Sequence, residues 1–125
     1  MMILKKMNDE IARNTNDMIY EFLLDISYQV LENDKVIANI AFSKNKSTIY
    51  IEKIETILKN QGNGTKILEF LFNNCEIIEG DALYNAIGFW EKVGATFKNN
   101  NFKKEDSNFF YLTKQDFFKS LQKIA

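Results

Sequence analysis

The 125-residue sequence contains no histidine, no proline and a single cysteine, and these absences exclude several kinds of site. Without histidine, the chain cannot build a Ser-His-Asp or Cys-His catalytic centre. With only one cysteine besides, it lacks the ligands of an ordinary zinc site, so we expect no metal centre. The lone Cys75 cannot form an internal disulfide, which favours a reducing compartment such as the cytoplasm.

Long apolar runs and charge of one dominant sign are also missing. No run approaches the roughly 20 residues of a membrane-spanning helix, and residues 1–13 do not resemble a signal peptide, so we expect no membrane association. Sixteen Lys and Arg face seventeen Asp and Glu, which gives no reason to expect a nucleic-acid partner. With 46% hydrophobic residues, the composition predicts one globular domain spanning residues 1–125.

The first half of the chain carries the pattern of an antiparallel sheet. Apolar residues alternate with polar ones from Tyr20 to Val30, which predicts one long, half-buried strand whose apolar stripe belongs to the core. Two further strands are predicted at residues 36–42 and 48–55. The turn residues Asn33 and Asp34 make the first two strands an antiparallel hairpin.

The segment before this strand is ambiguous. Its apolar spacing fits short helices, for which Asn8, Asp9 or Asn16 are possible N-caps. A short initial strand at Met2–Lys6 fits nearly as well. Both alternatives stay open on the sequence alone.

The second half alternates helices with strands. We predict a helix at 65–74, a strand at 75–80 and a second helix that Asp81 caps and Gly94 ends. Two strands follow at 95–98 and 108–112, joined by a polar loop at 99–107. The last helix begins at Thr113 and has Phe117, Leu121 and Ile124 on one face. This order predicts a mixed α/β domain. The last helix also has a second apolar row at Phe118, which fits either packing on the sheet or a homodimer contact.

A glycine-containing loop, Lys59-Asn-Gln-Gly-Asn-Gly64, joins the third strand to the following helix. Loop amides from Gln61 to Thr65 can point into one concavity, and the helix behind them adds its positive dipole end, so the arrangement suits a phosphate. Neither the P-loop pattern nor the third glycine of the dinucleotide pattern is present. On its own, the loop is better explained as a turn that needs its glycines for geometry.

Two later segments favour a phosphate-binding loop over a purely structural turn, because with them the chain resembles the GNAT family of acetyl-CoA-dependent N-acetyltransferases. Residues 59–64 match the family loop Arg/Gln-x-x-Gly-x-Gly/Ala, with Lys59 in the first place. Residues 86–94, Ala-Ile-Gly-Phe-Trp-Glu-Lys-Val-Gly, are similar to its Ala-x-x-Phe-Tyr-x-Lys-x-Gly run, and residues 110–116 look like a frequent family ending. The resemblance covers about residues 20–116.

The resemblance implies an α/β (α+β) fold: a mostly antiparallel central sheet with a splayed parallel strand pair, flanked by helices. It also implies acetyl-CoA or CoA as cofactor, with pantetheine between the strands at 48–56 and 75–79 and the pyrophosphate on the glycine loop. The cofactor-binding residues implied in this way are Ile54, Glu55, Thr56, Lys59, Gln61, Gly62, Asn63, Gly64, Thr65, Lys66 and Trp90.

Two features depart from the family pattern. Trp90 stands where the family often has the tyrosine that protonates the departing thiolate, and an indole N–H is not a useful acid, which leaves Tyr84, water or an unassisted thiolate. The family's N-terminal strand and two helices, which shape the acceptor site, have only about twenty residues here before the predicted long strand. We therefore expect an acceptor site that is shortened, more open or completed by a partner chain.

The candidates for accepting the amine's proton are carboxylates on the predicted strands. Glu52 shares a strand face with Tyr50 and Ile54, and Glu55 points the other way. We rank Glu52 first and Glu79 second. For any one of them, a solvated strand carboxylate without a catalytic role is the plainer interpretation.

Two functions of different class follow from these observations. The first is an N-acetyltransferase that passes the acetyl group to a small-molecule or peptide amine by direct attack, without a covalent enzyme intermediate. The second is a catalytically inactive GNAT-fold protein that binds CoA or a protein partner as a regulatory or interaction module. The intact glycine loop favours cofactor binding in both, whereas Trp90 and the short N-terminal segment favour the second.

Overall fold

A computed structural model describes residues 1–57, 62–98 and 108–122, together with the backbone but not the side chain of Tyr84. Its elements, in chain order, are β1 (Met2–Lys6), α1 (Asp9–Arg13), α2 (Ile19–Phe22), a 3-10 turn (Leu24–Ile26), β2 (Ser27–Glu32), β3 (Lys35–Asn45), β4 (Thr48–Thr56), α3 (Asn63–Leu71), β5 (Ile77–Ala82), a 3-10 turn (Tyr84–Ala86), α4 (Ile87–Lys92), β6 (Thr96–Phe97), β7 (Asn108–Thr113) and α5 (Lys114–Gln122).

The strands form one mixed sheet of order β1-β2-β3-β4-β5-β7-β6. The β1–β2, β2–β3, β5–β7 and β6–β7 pairs are antiparallel. The parallel pair is β4 with β5, and at its start the carbonyl of Ser47 accepts hydrogen bonds from the amides of Glu76 (2.7 Å) and Ile77 (3.2 Å). The predicted fold class, a mostly antiparallel sheet that contains one parallel pair and is flanked by helices, is confirmed.

The chain divides into two compact units. Unit 1 comprises Met1–Ser43 and Ile51–Leu71, and unit 2 comprises Lys44–Tyr50 and the residues from Phe72 onwards. The single domain expected from length stays a prediction. Within the described residues, no helix is long and apolar enough to cross a membrane.

The predicted strand is wrong between Tyr20 and Ile26, where the chain forms α2 and a 3-10 turn instead. At the start of α2, the Asp17 carboxylate accepts a hydrogen bond from the amide of Ile19 (3.0 Å). At the end of the turn, the Ser27 hydroxyl donates to the carbonyl of Leu23 (2.7 Å). Such side chain–backbone bonds give the backbone a helical alternative to a strand ladder, so the apolar alternation there does not reflect a strand.

The apolar stripe of this segment is therefore only partly core. Tyr20 is fully buried, and it packs in a cluster with Met7, Ala12 and Ala41. Phe22, two residues further on, is 76% exposed. A helix turns these two side chains to different sides, whereas a strand would have placed them on one face.

The N-terminal segment contains both elements that the sequence left open. The strand β1 pairs with β2 in the antiparallel register Met2↔Glu32 to Lys6↔Tyr28. The helix α1 follows it, and the Asn8 side chain caps it by accepting a hydrogen bond from the amide of Ile11 (2.9 Å). A strand and two helices thus precede β2, although the helices have only five and four residues.

The predicted β2–β3 hairpin is confirmed. Asn33 (φ 52°) and Asp34 (φ 69°) both adopt the left-handed conformation. Two successive positive φ values define the tight turn whose twist matches that of the flanking strands, and Asn and Asp tolerate this conformation well.

The helix predicted to begin after Asp81 starts later, and Asp81 does not cap it. Asp81 lies inside β5, paired with Phe109 of β7. Its carboxylate accepts a hydrogen bond from the Tyr50 hydroxyl (2.7 Å), so the side chain already has a partner in the sheet. Helical structure begins with the 3-10 turn at Tyr84–Ala86 and continues as α4 to Lys92. The predicted loop at 99–107 and Ile124 lie outside the described residues.

Aromatic side chains fill the core of unit 2. Trp90 of α4 is 3% exposed and stacks on Phe110 of β7, with ring centroids 4.0 Å apart. Phe72 packs against Phe117 of α5 at 5.2 Å. Phe118 also contacts Phe72, at 6.5 Å, so the second apolar row of α5 is partly used within unit 2; the homodimer stays a prediction.

Gly94 allows α4 and α5 to approach closely. Its φ is +102°, and a Cβ at this position would lie 2.8 Å from the backbone oxygen of Asp116. Ser120 of α5 donates a hydrogen bond to the carbonyl of Val93 (2.9 Å) at the same contact. Only glycine meets both requirements, the left-handed backbone and the missing side chain.

We predict that Gly94→Ala lowers the free energy of unfolding by about 2–4 kcal/mol, because it adds backbone strain and a clash with immobile backbone. The matched control is Gly88→Ala in α4, where a Cβ meets no atom within 4 Å. That change should leave stability unchanged or raise it by up to about 1 kcal/mol. Urea unfolding followed by circular dichroism measures both, and equal effects of the two changes would contradict the close approach.

Candidate functional site

In unit 1, the last residues of β4 keep one backbone edge turned away from β3. The amide of Ile57 donates to the carbonyl of Ile37 in β3 (2.9 Å). Backbone groups of alternate residues in a strand point to opposite edges, so we expect those of Glu55 to face β3 with Ile57. The backbone groups of Ile54 and Thr56 then point to the other edge. Of the three residues predicted to pair with pantetheine, these two have the required backbone direction.

The glycine turn opens α3 in the way that the loop pattern predicts. Gly62 has φ +73°, and a Cβ placed on it would meet no atom within 4 Å, so the space beside the turn is open. The carbonyl of Gly62 accepts the first α-helical bond, from the amide of Lys66 (3.1 Å). The amides of Gly64 and Thr65 precede that bond and have no acceptor within the helix. Lys59 and Gln61 lie outside the described residues.

The predicted residues of the first turn of α3 differ in exposure. Asn63 is buried and 6% exposed. Gly64 and Thr65 are half-buried, whereas Gly62 and Lys66 are exposed. The Lys66 ammonium lies 3.5 Å from the Glu32 carboxylate at the end of β2. An exposed pair of this kind is weak, so Lys66 can exchange Glu32 for an anion at the turn.

The side chain of Glu55 belongs to a polar cluster beside α2. The Asn39 amide lies 3.5 Å from its carboxylate, and the buried Tyr20 hydroxyl donates to the carbonyl of Asn39 (3.3 Å). In the same cluster Lys53 pairs with Asp17 at 3.4 Å. Burial first, and then the charges of Glu55 and Asp17, raise the pKa of Tyr20 well above its usual value, so the phenol stays neutral.

The structure places the catalytic candidates in different surroundings. Glu52 of β4 is exposed. Glu79 of β5 is half-buried and lies opposite Tyr111 in β7. The side chain of Tyr84 lies outside the described residues. Trp90 packs on Phe110, and Phe110 is the register partner of Gly80, so Trp90 and Glu79 lie on opposite faces of the β5–β7 ribbon.

The sequence analysis missed the contact between Tyr50 and Asp81. Tyr50 belongs to the first residues of β4, and its hydroxyl donates to the Asp81 carboxylate of β5 at 2.7 Å. Strand patterns show which residues share a face of one strand, but not which strands are neighbours. This pair therefore depends on the β4–β5 pairing, for which the sequence carries no local signal.

A shallow cleft elsewhere in unit 2 contains none of the predicted site residues. Its lining residues are Glu76, Lys114, Gln115, Phe118, Lys119 and Gln122. They surround the start of β5 and one side of α5, and none of them is a predicted cofactor or catalytic residue. The cleft is therefore not part of the predicted site.

Comparison with known proteins connects this geometry to one fold. No protein-family model matches the sequence, and no curated protein matches it. Among solved structures, the Bacillus subtilis N-acetyltransferase YlbP in complex with coenzyme A is 13% identical, with a TM-score of 0.68 over 92% of this chain and 98% of that one. The Campylobacter jejuni N-acetyltransferase PseH in complex with acetyl coenzyme A is also 13% identical, with a TM-score of 0.64 over 91% and 99%. A Bacteroides thetaiotaomicron protein assigned to the GNAT family is 15% identical, with a TM-score of 0.61 over 98% and 93%.

The chain therefore has the GNAT fold, as the resemblance implied. The similarity extends over nearly the whole of each matched chain, so it concerns the complete fold and not one motif. At these identities it establishes architecture, and activity has to be argued from the site.

Cys75 is not suited to act as a nucleophile. The side chain is buried, 4% exposed. Burial is the main cause that raises the pKa of the Cys75 thiol to about 11. A thiol is reactive as its thiolate, so Cys75 acts as a small buried apolar residue.

We predict that Cys75 in the folded protein reacts with iodoacetamide at pH 8 about 100-fold more slowly than a thiol with pKa 9, because the thiolate fraction is lower by that factor. The raised pKa also means that this group favours the folded state fully below pH 9, and that its contribution is lost as pH rises towards 11. Mass spectrometry of the alkylated protein, with and without urea, measures the rate. Rapid alkylation of the folded chain would contradict the assignment.

Proposed function

We propose that this protein is an acetyl-CoA-dependent N-acetyltransferase that transfers the acetyl group to an amine by direct attack. The observation that carries the proposal is the open glycine turn at Gly62, placed between the end of β4 and the start of α3 in a GNAT fold. Bound acetyl-CoA would supply an activated acetyl thioester. The solved relatives named above, which contain coenzyme A or acetyl coenzyme A, support this cofactor.

The residues present fit such a cofactor in two places. The amides of Gly64 and Thr65 in the first turn of α3 suit a pyrophosphate, because they have no acceptor in the helix and lie at its positive dipole end. The outward backbone groups of Ile54 and Thr56 suit the amides of pantetheine, which can pair with them like an added strand. Lys66 adds a cation at the turn once it leaves Glu32. We keep Lys59, Gln61 and Trp90 in the proposed site on the resemblance alone.

The chain's part in the chemistry is to bind, orient and move protons. Holding the amine beside the thioester supplies most of the rate, since two reactants are brought into one geometry. Glu79 is the better placed of the two proton acceptors, because it is half-buried in β5, whereas Glu52 is exposed to solvent. Tyr84 remains the proposed acid towards the thiolate.

A second function, cofactor or partner binding without catalysis, is favoured by one specific observation. Trp90, which occupies the place of the family's usual acid, is packed on Phe110 and is 3% exposed. An indole in this position protonates nothing. Where the second function is cofactor binding, it uses the same cofactor site as the first and differs from it only in turnover.

We predict that acetyl-CoA and CoA bind with a Kd in the micromolar range, about −8 kcal/mol, and that Gly62→Trp weakens binding at least tenfold because the indole fills the open space beside the turn. Isothermal titration calorimetry measures both. Pantetheine, which lacks the pyrophosphate, should bind more weakly than CoA to the native chain.

The matched control is Gly62→Ala, which has the same positive φ but whose Cβ meets nothing within 4 Å. It should keep most of the affinity, whereas the tryptophan should not. Unchanged affinity in Gly62→Trp would place the cofactor elsewhere. If neither ligand binds to the native chain, both cofactor-binding functions are overturned, and only a fold kept for contact with a protein partner is left. Release of free CoA in the presence of amines then separates the enzyme from the non-catalytic binder.

A further inference from the structure

The outer side of α2 in unit 1 carries two large apolar side chains and an acid. The amides of Glu21 and Phe22 both donate to the carbonyl of Met18 (3.1 Å each), so these three residues lie on one side of the helix. Met18 is 64% exposed and Phe22 is 76% exposed, and Glu21 is exposed as well. We call these three residues the helix patch. Large apolar side chains that are exposed together indicate a contact surface, whereas single ones do not.

The strand β1, at the edge of the sheet, carries an exposed surface of the opposite charge. Ile3 and Lys5 lie at alternate positions of the strand, so their side chains project to one side, and both are exposed. Leu31 of β2 is the register partner of Ile3 and is half-buried, so it extends the apolar surface. We call Ile3, Lys5 and Leu31 the strand patch.

The strand patch lies on the side of the sheet that α2 covers. Ala41 of β3 packs with Tyr20 of α2, so its side chain marks this side. The register partner of Ala41 is Ser27, and Gln29, two residues further along β2, points to the same side. Gln29 is in turn the register partner of Lys5. Since Lys5 and Ile3 are nevertheless exposed, the strand patch lies beside the helix and not beneath it.

The two patches are neighbours in unit 1. Where β1 ends, the ammonium group of Lys6 donates to the carbonyl of Asp25 (2.5 Å), which belongs to the 3-10 turn after α2. This hydrogen bond brings the strand and the helical segment together at one end. Within one chain the two patches adjoin without covering each other. A two-fold axis between them would place each patch on the other patch of a second copy.

The two patches have opposite charge. Residues 17–25, which include the helix patch, contain three acids and no base, whereas residues 1–7 contain two lysines and no acid. In the part of the chain that the structure describes, no ion pair engages Lys5 or Glu21. The charges and the apolar side chains of the patches are therefore complementary to each other. An anionic surface would suit the strand patch alone, because the acids of the helix patch would repel it.

We infer that two copies of this chain form a two-fold dimer in which the helix patch of each copy packs on the strand patch of the other. Met18 and Phe22 then cover the apolar side chains of the strand patch, and Glu21 pairs with Lys5 of the partner subunit. The same contact occurs twice, so the assembly closes at two copies. Because the patches are small, we expect a reversible dimer with a Kd of about 10 µM. The inference goes beyond the proposed function and does not depend on the cofactor.

The test follows the mass of the native chain and of two charge-reversal variants by sedimentation velocity over a range of concentrations. Lys5→Glu and Glu21→Lys should each raise the dimer Kd at least tenfold, because each change places like charges together at both contacts. Both side chains are exposed, so we expect the folded structure to be kept, and circular dichroism checks this. Phe22→Ser should weaken the dimer through the apolar part of the contact.

The decisive arm of the test is an equimolar mixture of the two charge-reversal variants. In a mixed dimer each contact again joins an acid to a base, so the mixture should recover dimers that neither variant forms alone. The double variant Lys5→Glu/Glu21→Lys should dimerise by itself for the same reason. A mixture in which both variants remain monomeric would overturn the inference, because a general loss of stability cannot be separated from it in the single variants alone.

The matched control is Lys119→Glu on α5, which reverses one exposed lysine outside both patches. It should leave the dimer Kd unchanged. A dimer that Lys119→Glu breaks and Lys5→Glu does not would assign the contact to α5 and overturn the inference. A native chain that stays monomeric well above the expected Kd would overturn it too, and so would a monomer that binds vesicles of anionic phospholipid through Lys5.

Discussion

The hydrogen bond from the Ile57 amide to the Ile37 carbonyl is the contact on which the candidate cofactor site depends. It holds the end of β4 extended against β3, so that we expect the backbone groups of Ile54 and Thr56 to point to the edge opposite β3. The helix α3 starts at Asn63, directly after Gly62, whose positive φ of 73° is accessible to glycine at low steric cost.

Packing in unit 2 decides which face of β5 remains available for chemistry. Trp90 and Phe110 stack on one side of the β5–β7 ribbon and bury it. Every second residue of β5 is then directed to the other side, where Glu79 and Asp81 lie. The aromatic core and the polar face are consequences of the same alternation, and a shift of one residue in register would exchange them.

Much of the fold was predictable because local signals and tertiary contacts agree. The hairpin at Asn33-Asp34, β4, α3, the stop at Gly94 and α5 all follow from turn chemistry or from periodicity. The prediction failed from Tyr20 to Ile26, where Asp17 and Ser27 bond to the backbone and stabilise helical turns. The alternation of apolar residues does not reveal these side chain–backbone hydrogen bonds, because the residues that form them are polar and lie at the two ends of the segment.

The sequence by itself determined the order of elements from β3 onwards, the glycine loop and the GNAT resemblance, because these depend on residue types at short spacing. It also excluded histidine- and disulfide-based chemistry, since the residues are absent. Only the tertiary structure decided that Trp90 is core, that Glu55 belongs to a cluster with Asn39, and that Tyr50 meets Asp81. Those facts depend on which strands are neighbours and in which register. Pairing between distant segments is selected by the packing of the whole sheet, which no short stretch of sequence records.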